Sequence, residues 1–473
     1  MQKIKDKHIF IIYIAAFFLI AASMALFQPL ADTPPMFGNP PDEHARYLIP
    51  QYICEHGRIP TGFEEEVRIP SYGFSYGLYN VFPYIVQGYV MRFVSLFTGS
   101  ELMLLYAARF VNVITGTLMA AVVYLLARRL FADRRFRWLF CFAVMYLPEN
   151  LFLHTYVNSD SMCLLSTAMM VYALVSAYRE GFSRANSLWL SGGIILCALS
   201  YYNAYGYILS SILLFLAYFI RKEDGRLRYD WKEMLKKGVF IGVIVLAGIS
   251  WWFIRSYILF DGDILGLATR EKMASQYAID AVNPDALSTY QSKGYSILQM
   301  MKEEQFMTGA FITFVAAFGS LSIVGNIWMY RAFKLFFIVG LAACVLLRRK
   351  RGGCNGGNTA PSGGPVLETP SAAKRLFFHI NMIFCMAMPL ILLIHYAYTM
   401  DFQNQGRYLL PAVVPLMYYA VAGLQKLCAL KWIPRWLANA GVAAGIVLFF
   451  GSTLWMVYYC AFPIYLDTGV VLH

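Results

Sequence analysis

A succession of apolar runs, each near the roughly 20 residues a helix needs to cross hydrocarbon, restricts what this chain can fold into. The first covers Ile9 to Leu30. Others cover 104–127, 138–157, 162–178, 187–202, 204–220, 238–258, 329–347, 376–398, 408–425 and 436–460. Lipid offers no partner to a bare backbone, so such runs satisfy their N–H and C=O groups internally, as helices. The chain is 59% hydrophobic and 14% charged, whereas soluble domains carry about 25% charged residues. The expected fold is an all-α polytopic membrane protein of about 11 transmembrane helices, with 1–473 forming a single integral membrane domain. The run 9–30 is too long for the apolar core of a cleaved signal and reads as a retained first helix.

Basic residues collect in cytoplasmic loops. Lys3, Lys5 and Lys7 place the N-terminus inside, and Arg128, Arg129, Arg134, Arg135 and Arg137 mark the next inner loop. An odd number of crossings must then lie between the first outer loop and Arg128. Of the two intervening runs, 104–127 is long and apolar, while 81–97 carries Pro83, Gln87 and Arg92. The latter is therefore expected to lie at the outer interface as an amphipathic helix. The same parity applies to 306–325, because Arg348-Arg349-Lys350-Arg351 must be inside. Two large external loops result, 31–103 and 259–328, each with interfacial helices, and the C-terminus falls outside. The Gly/Ser/Pro-rich piece 352–372 reads as a flexible cytoplasmic linker. The net charge of +12 is thus a matter of topology and contact with membrane lipids, and no nucleic-acid partner is expected. The nine cysteines are scattered, without a CxxC pair or metal-ligand spacing.

The external face gathers the candidate chemistry. Asn39-Pro40-Pro41-Asp42-Glu43-His44-Ala45-Arg46-Tyr47 is a loop-to-helix start with adjacent carboxylates and an imidazole. Asp42 would equally serve as a helix N-cap, Glu43 as a solvated residue, and His44 as a packing histidine. Asp160, in Val157-Asn158-Ser159-Asp160-Ser161, stands at an outer turn whose composition turn chemistry alone would explain. Glu149, beside Pro148, needs a partner or a polar cavity. In Gln403-Asn404-Gln405-Gly406-Arg407-Tyr408 a guanidinium enters a membrane segment, and its planar fork suits phosphate oxygens. Arg255 is a second such cation. Snorkelling at an interface is the plain alternative for both.

Taken in order, Pro41-Asp42-Glu43-His44, Val157-Asn158-Ser159-Asp160, Trp252-Phe253-Ile254-Arg255-Ser256-Tyr257 with Gly262-Asp263, and Gln405-Gly406-Arg407-Tyr408-Leu409-Leu410-Pro411 resemble the GT-C superfamily of polytopic glycosyltransferases. Within it they are similar to a bacterial membrane branch near the protein O-mannosyltransferase and aminoarabinose transferase families. The first loop departs from many relatives, reading Tyr79-Asn80-Val81-Phe82-Pro83-Tyr84 where they carry a His-Pro-Pro run. The resemblance implies a cell-membrane enzyme whose site faces outside. It would transfer a sugar from a polyprenyl-phosphate donor to a cell-envelope acceptor, whether glycan, lipid or protein. Asp42 or Glu43 would be the catalytic carboxylate. Asp160, Arg407, Arg255, Gln405 and Tyr408 would bind substrate. His44 is the candidate ligand for a divalent metal, Mg or Mn. Two other classes stay open: a transporter or flippase of envelope lipids or glycans, and a non-catalytic scaffold of envelope assembly. The topology predicts that an impermeant thiol reagent added outside cells labels a cysteine placed at position 44 and spares one placed at position 133. The reverse pattern would invert the assignment.

Overall fold

The computed structural model describes residues 6–30, 39–79, 81–223, 226–347 and 372–467. The linker up to 371 and the first lysines, Lys3 and Lys5, lie outside the described residues. Helix α1 (Asp6–Phe27) is the first apolar run. After Pro40-Pro41, α2 (Glu43–His56) packs Ile49, Tyr52 and Ile53 against Tyr84, Ile85 and Met91 of α3 (Phe82–Ser95). The two approach so closely that a Cβ on Gly88 would lie 2.6 Å from Ile53. Neither has the length of a crossing. Helix α4 (Glu101–Leu130) does, and its 30 residues extend about 45 Å. It is not wholly apolar, as the sequence reading assumed for 104–127: Arg109, Asn112 and Thr115 are buried in it.

The run 138–157 does not form one helix. It breaks into α5 (Arg134–Met145) and α6 (Pro148–Leu153). Pro148 has no N–H to donate and keeps its predecessor out of the helical region. Beyond α6 the buried chain is irregular, and side-chain amides satisfy it. Asn158 Nδ2 donates to the carbonyls of Leu153 at 2.8 Å and Tyr156 at 2.9 Å, and Asn112 Nδ2 donates to the Tyr156 carbonyl at 2.5 Å. Helix α7 (Asp160–Glu180) follows and is buried along nearly its whole length. Helices α8 (Arg184–Ser200) and α9 (Tyr205–Tyr218) have only 17 and 14 residues. Strands β1 (Ile220–Glu223) and β2 (Arg226–Tyr229) form an antiparallel hairpin leading to α10 (Trp231–Leu259), which exposes most of its surface.

The second loop holds α11 (Leu267–Tyr277), α12 (Ile297–Glu303) and α13 (Phe306–Val315). The run 306–325 does not form one helix of bilayer length: after α13 it folds into a short hairpin of β3 (Ala317–Phe318) and β4 (Ile323–Val324). The backbone N–H of Ala317 donates to Glu149 Oε2 at 2.8 Å, so the break at Pro148 and this hairpin support each other. Helices α14 (Ile327–Leu346) and α15 (Ala372–Thr399) follow. A 3-10 turn, Gly406–Ala412, then runs into α16 (Val413–Cys428). Gly340 and Gly423 let α14 and α16 touch backbone to backbone, since a Cβ on Gly423 would lie 1.8 Å from the Gly340 carbonyl. Small residues give membrane helices this contact. Helix α17 (Arg435–Leu454) passes through a π turn, Trp455–Ala461, into α18 (Phe462–Asp467). Among the described residues eight helices are long and apolar enough to cross a membrane. The other three expected segments are the split α5–α6 and the shorter α8 and α9.

One buried ion pair joins α1, α2 and α4. Arg109 Nε donates to Glu43 Oε1 at 2.8 Å, and Arg109 Nη2 to Oε2 at 2.5 Å. The remaining Arg109 protons go to the carbonyls of Ala25, Gln28 and Pro29. The Val157 N–H adds a third bond to Glu43 Oε1 at 2.8 Å. Both side chains are fully buried. Breaking such a pair from one side costs about 3–5 kcal/mol, because the other charge is left unpaired. Arg109→Leu is therefore predicted to lower the unfolding temperature of purified protein markedly, and the double variant Arg109→Leu/Glu43→Leu to recover part of the loss. Equal unfolding temperatures for wild type and Arg109→Leu would contradict the pair's role.

Candidate functional site: a buried chain of charges ending at Asp42

Asp42 holds the left-handed conformation, φ 59° and ψ 8°, at the N-cap of α2. Short polar side chains tolerate this region better than others. Its carboxylate makes no capping bond to its own helix and meets Arg407 instead: Arg407 Nη2 donates to Asp42 Oδ2 at 2.9 Å. One helical turn along α2, Arg46 Nη2 lies 3.8 Å from the same oxygen, and Arg46 Nη1 donates to Asp160 Oδ2 at 2.8 Å. The result is an alternating chain, Asp160–Arg46–Asp42–Arg407, drawn from α7, α2 and the 3-10 turn. The side chains of Asp160, Arg46 and Arg407 are 9%, 6% and 3% exposed, and that of Asp42 is 33% exposed. Asp42 is thus the most exposed member of the chain.

Backbone packing aims Arg407. A Cβ at Gly406 would lie 1.9 Å from the Ala310 carbonyl, so only glycine lets the turn press on α13. The Gly406 N–H donates to Thr313 Oγ1 at 2.6 Å, and Tyr207 Oη donates to the Pro411 carbonyl at 2.6 Å. Arg407 Nη2 also donates to Tyr408 Oη at 3.0 Å, and Tyr408 Oη donates to Gln403 Oε1 at 3.2 Å. The guanidinium lies 5.0 Å from the centre of the Tyr408 ring.

Several polar atoms here are buried without a partner among the described residues: Arg407 Nε and Nη1, Arg46 Nε, Gln405 Oε1, and deeper in the bundle Tyr156 Oη and Glu149 Oε1. Buried polar groups are normally paired. Two of the three Arg407 nitrogens are therefore donors awaiting an acceptor. Burial pushes the Asp42 pKa up, but the guanidiniums of Arg407 and Arg46 outweigh it and hold the carboxyl below its ordinary value.

Three sequence candidates, Asp42, Asp160 and Arg407, come together, with Tyr408 beside them. Glu43 does not join them: it faces the other way, with Oε1 accepting from Arg109 Nε and the Val157 N–H and Oε2 accepting from Arg109 Nη2. Arg255 donates to the Pro60 carbonyl at 2.6 Å and stacks 4.9 Å from the Trp252 ring, partners that lie outside the charge chain. His44 is half-buried near the start of α2. Among the described residues no three His, Cys, Asp or Glu side chains gather as a metal ion requires. Guanidiniums already stand where a cation would sit beside Asp42 and Asp160. Among the described residues, the groups set against Asp42 and Asp160 are the guanidiniums of Arg407 and Arg46. Sequence reasoning missed Arg46, which the i,i+4 relation to Asp42 could have revealed, and Arg109, an ionisable residue inside an apolar run.

No curated protein matches this chain in sequence. In chain path the structure is similar to the oligosaccharyltransferase of Archaeoglobus fulgidus tethered with an acceptor peptide. The identity is 16% and the TM-score 0.49, covering 98% of this chain and 55% of that one. It is also similar to ArnT from Cupriavidus metallidurans bound to undecaprenyl phosphate, at 12% identity and TM-score 0.47, covering 99% and 77%. The chain spans about half the length of the archaeal enzyme. Both are GT-C polytopic membrane glycosyltransferases, and the likeness is one of chain path, so activity is argued from the side chains. Residues 53–416 match the family described as "Predicted membrane protein (DUF2142)", and this multi-pass chain belongs to that family.

Proposed function

We propose that this chain is a membrane glycosyltransferase that moves a sugar from a polyprenyl-phosphate donor to a hydroxyl of a cell-envelope acceptor, with its site on the extracytoplasmic side of the cell membrane. The observation that carries this reading is Arg407: it is buried, bonded to Asp42 through one nitrogen, and unpartnered at the other two. Phosphate oxygens are the natural acceptors for such donors. Arg46 Nε, also buried and unpartnered, adds a second donor a short way along the chain. The lipid tail would lie along the exposed apolar residues of α3, Tyr89 and Phe93. Acceptors could be glycan, lipid or protein, and the side chains of the site do not choose among them.

The reaction follows from these positions. An acceptor hydroxyl attacks the anomeric carbon as the bond from that carbon to the phosphate oxygen breaks. The bonding pair leaves with the phosphate, and the guanidinium of Arg407 stabilises the charge that develops. The hydroxyl proton passes to Asp42, the one partly exposed carboxylate of the chain. With Arg407 drawn close, Asp42 is ionised at neutral pH but weakly basic. A bound phosphate would share the guanidinium and leave Asp42 the stronger base, so the base would be armed when the donor is in place. Glu43 acts at one remove, holding the start of α2 through Arg109.

Two outcomes test this reading with purified protein and a labelled polyprenyl-phosphate sugar. Asp42→Asn is predicted to lower transfer at least about 100-fold, the range of general-base contributions, while membrane insertion and donor retention persist. Full activity in that variant would remove Asp42 as the base. The second concerns pH. Because the Asp42 pKa is lowered, the base is lost only as pH falls through that lowered value, below the ordinary carboxylate range. Removing a lowering cation with Arg46→Gln should move the acid limb of kcat/KM upward in pH. An unmoved limb would show that another group titrates.

A further inference from the structure

An arginine-lined cavity lies at the far end of α4, and the charge chain does not use it. It encloses about 330 Å³ and is lined by Leu125, Arg128, Arg129, Tyr172 and Arg179, at the low end of the size of ligand pockets. Nineteen residues separate Arg109 from Arg128 on α4, which is about 28 Å of helix rise. That is close to the roughly 30 Å of a hydrocarbon core. The cavity therefore sits at the opposite membrane boundary from Asp42, among the basic residues of 128–137.

Arg128, Arg129 and Arg179 meet there. Arg129 pairs with Glu180, and Arg179 Nη1 donates to the Arg129 carbonyl at 3.1 Å. Arginine at the end of a helix has a simple explanation, complementing the carbonyls and the dipole, and the Arg179 bond does that. It does not account for a cavity, nor for what leads to it. On α4 the residues not buried after mid-helix are Ile114, Thr117, Leu118, Ala121, Leu125 and Arg128, with Arg129 beside the last. Their spacing of three and four is a single stripe. Ile114 and Leu118 are more than half exposed. On α7 only Met169, Tyr172, Arg179 and Glu180 escape burial. Tyr172 is set by an edge contact with Trp189 of α8 at 5.3 Å. An apolar stripe on α4 thus runs along the bundle surface and ends at the three guanidiniums, where Tyr172 of α7 joins it.

We infer that this cavity binds the phosphate headgroup of a membrane lipid in the leaflet on the basic side, with an acyl chain lying along the α4 stripe. The apolar approach selects a lipid over free phosphate, since a soluble anion would gain nothing from Ile114 or Leu118. The guanidiniums select a phosphate-bearing headgroup with net negative charge over a zwitterionic one. The site is separate from sugar transfer and stands whether or not the transferase reading holds.

The test uses the full chain in nanodiscs of phosphatidylcholine containing a minor fraction of phosphatidylglycerol, with lipid retention counted by native mass spectrometry. Wild type is expected to keep phosphatidylglycerol selectively. Arg128→Gln/Arg179→Gln should lose about fivefold in retention per guanidinium removed. Lys431→Gln/Arg435→Gln, an equal charge change at the same end of the bundle, should retain it as wild type does. Equal losses in both pairs would overturn the inference in favour of diffuse surface attraction. Displacement of the lipid by millimolar inorganic phosphate would overturn the lipid part of it. If the arginine pair unfolds, Leu125→Trp provides the check: filling the apolar wall at constant charge should reduce retention, and unchanged retention would contradict the site.

Discussion

The bond between Arg109 and Glu43 sets where everything else at the Asp42 end can stand. A guanidinium inside a bilayer-length helix must be neutralised and fully hydrogen-bonded. Arg109 meets that demand with Glu43 and three carbonyls from the end of α1. This draws the start of α2 down onto α4. The neighbouring residue, Asp42, then has to turn outward, and its left-handed backbone is the form that turn takes. Two adjacent carboxylates so acquire opposite environments: one is paired and holds the scaffold, the other is open and faces a cation with donors to spare.

The irregular chain around Asp160 obeys the same rule in its backbone form. Bare peptide groups cannot face lipid, yet residues 154–159 are non-helical and buried. They are tolerated because Asn112, Asn158 and Gln87 supply the missing bonds. That segment brings Asp160 to Arg46. The break at Pro148 and the hairpin at 317–324 belong to the same arrangement, joined through Glu149. Helices of bilayer length pack against a segment that is itself non-helical, and Asp160 stands at its end.

Much of this was legible in the chain itself, for identifiable reasons. Apolar runs are strong signals, so the long helices α1, α4, α7, α10, α14 and α15 stand near where hydropathy put them. The runs 81–97 and 306–325, which parity of basic loops assigns to the outer interface, form helices of 14 and 10 residues. The meeting of Asp42, Asp160 and Arg407 was anticipated by placing all three on one side. What escaped was pairing at a distance. Nothing in the run 104–127 announces that Arg109 takes Glu43, 66 residues away, so adjacency and the resemblance alone leave Glu43 an equal candidate beside Asp42. Arg255 was grouped with Arg407 by residue type, while three-dimensional packing gave it to Trp252 and Pro60. The split of 138–157 had a printed cause in Pro148, outweighed in the reading by the length of the apolar run.

The account rests on the claim that the two unpartnered nitrogens of Arg407 exist to hold a phosphate beside Asp42. The direct measurement is a phosphorus NMR titration of a short-chain polyprenyl phosphate with wild-type protein and with Arg407→Lys, which keeps the charge but loses the planar array of donors. The account predicts a shifted, saturable bound signal for wild type and a loss of affinity of about tenfold or more for Arg407→Lys, as for a charge-assisted hydrogen bond. Equal affinity in the two proteins would contradict it.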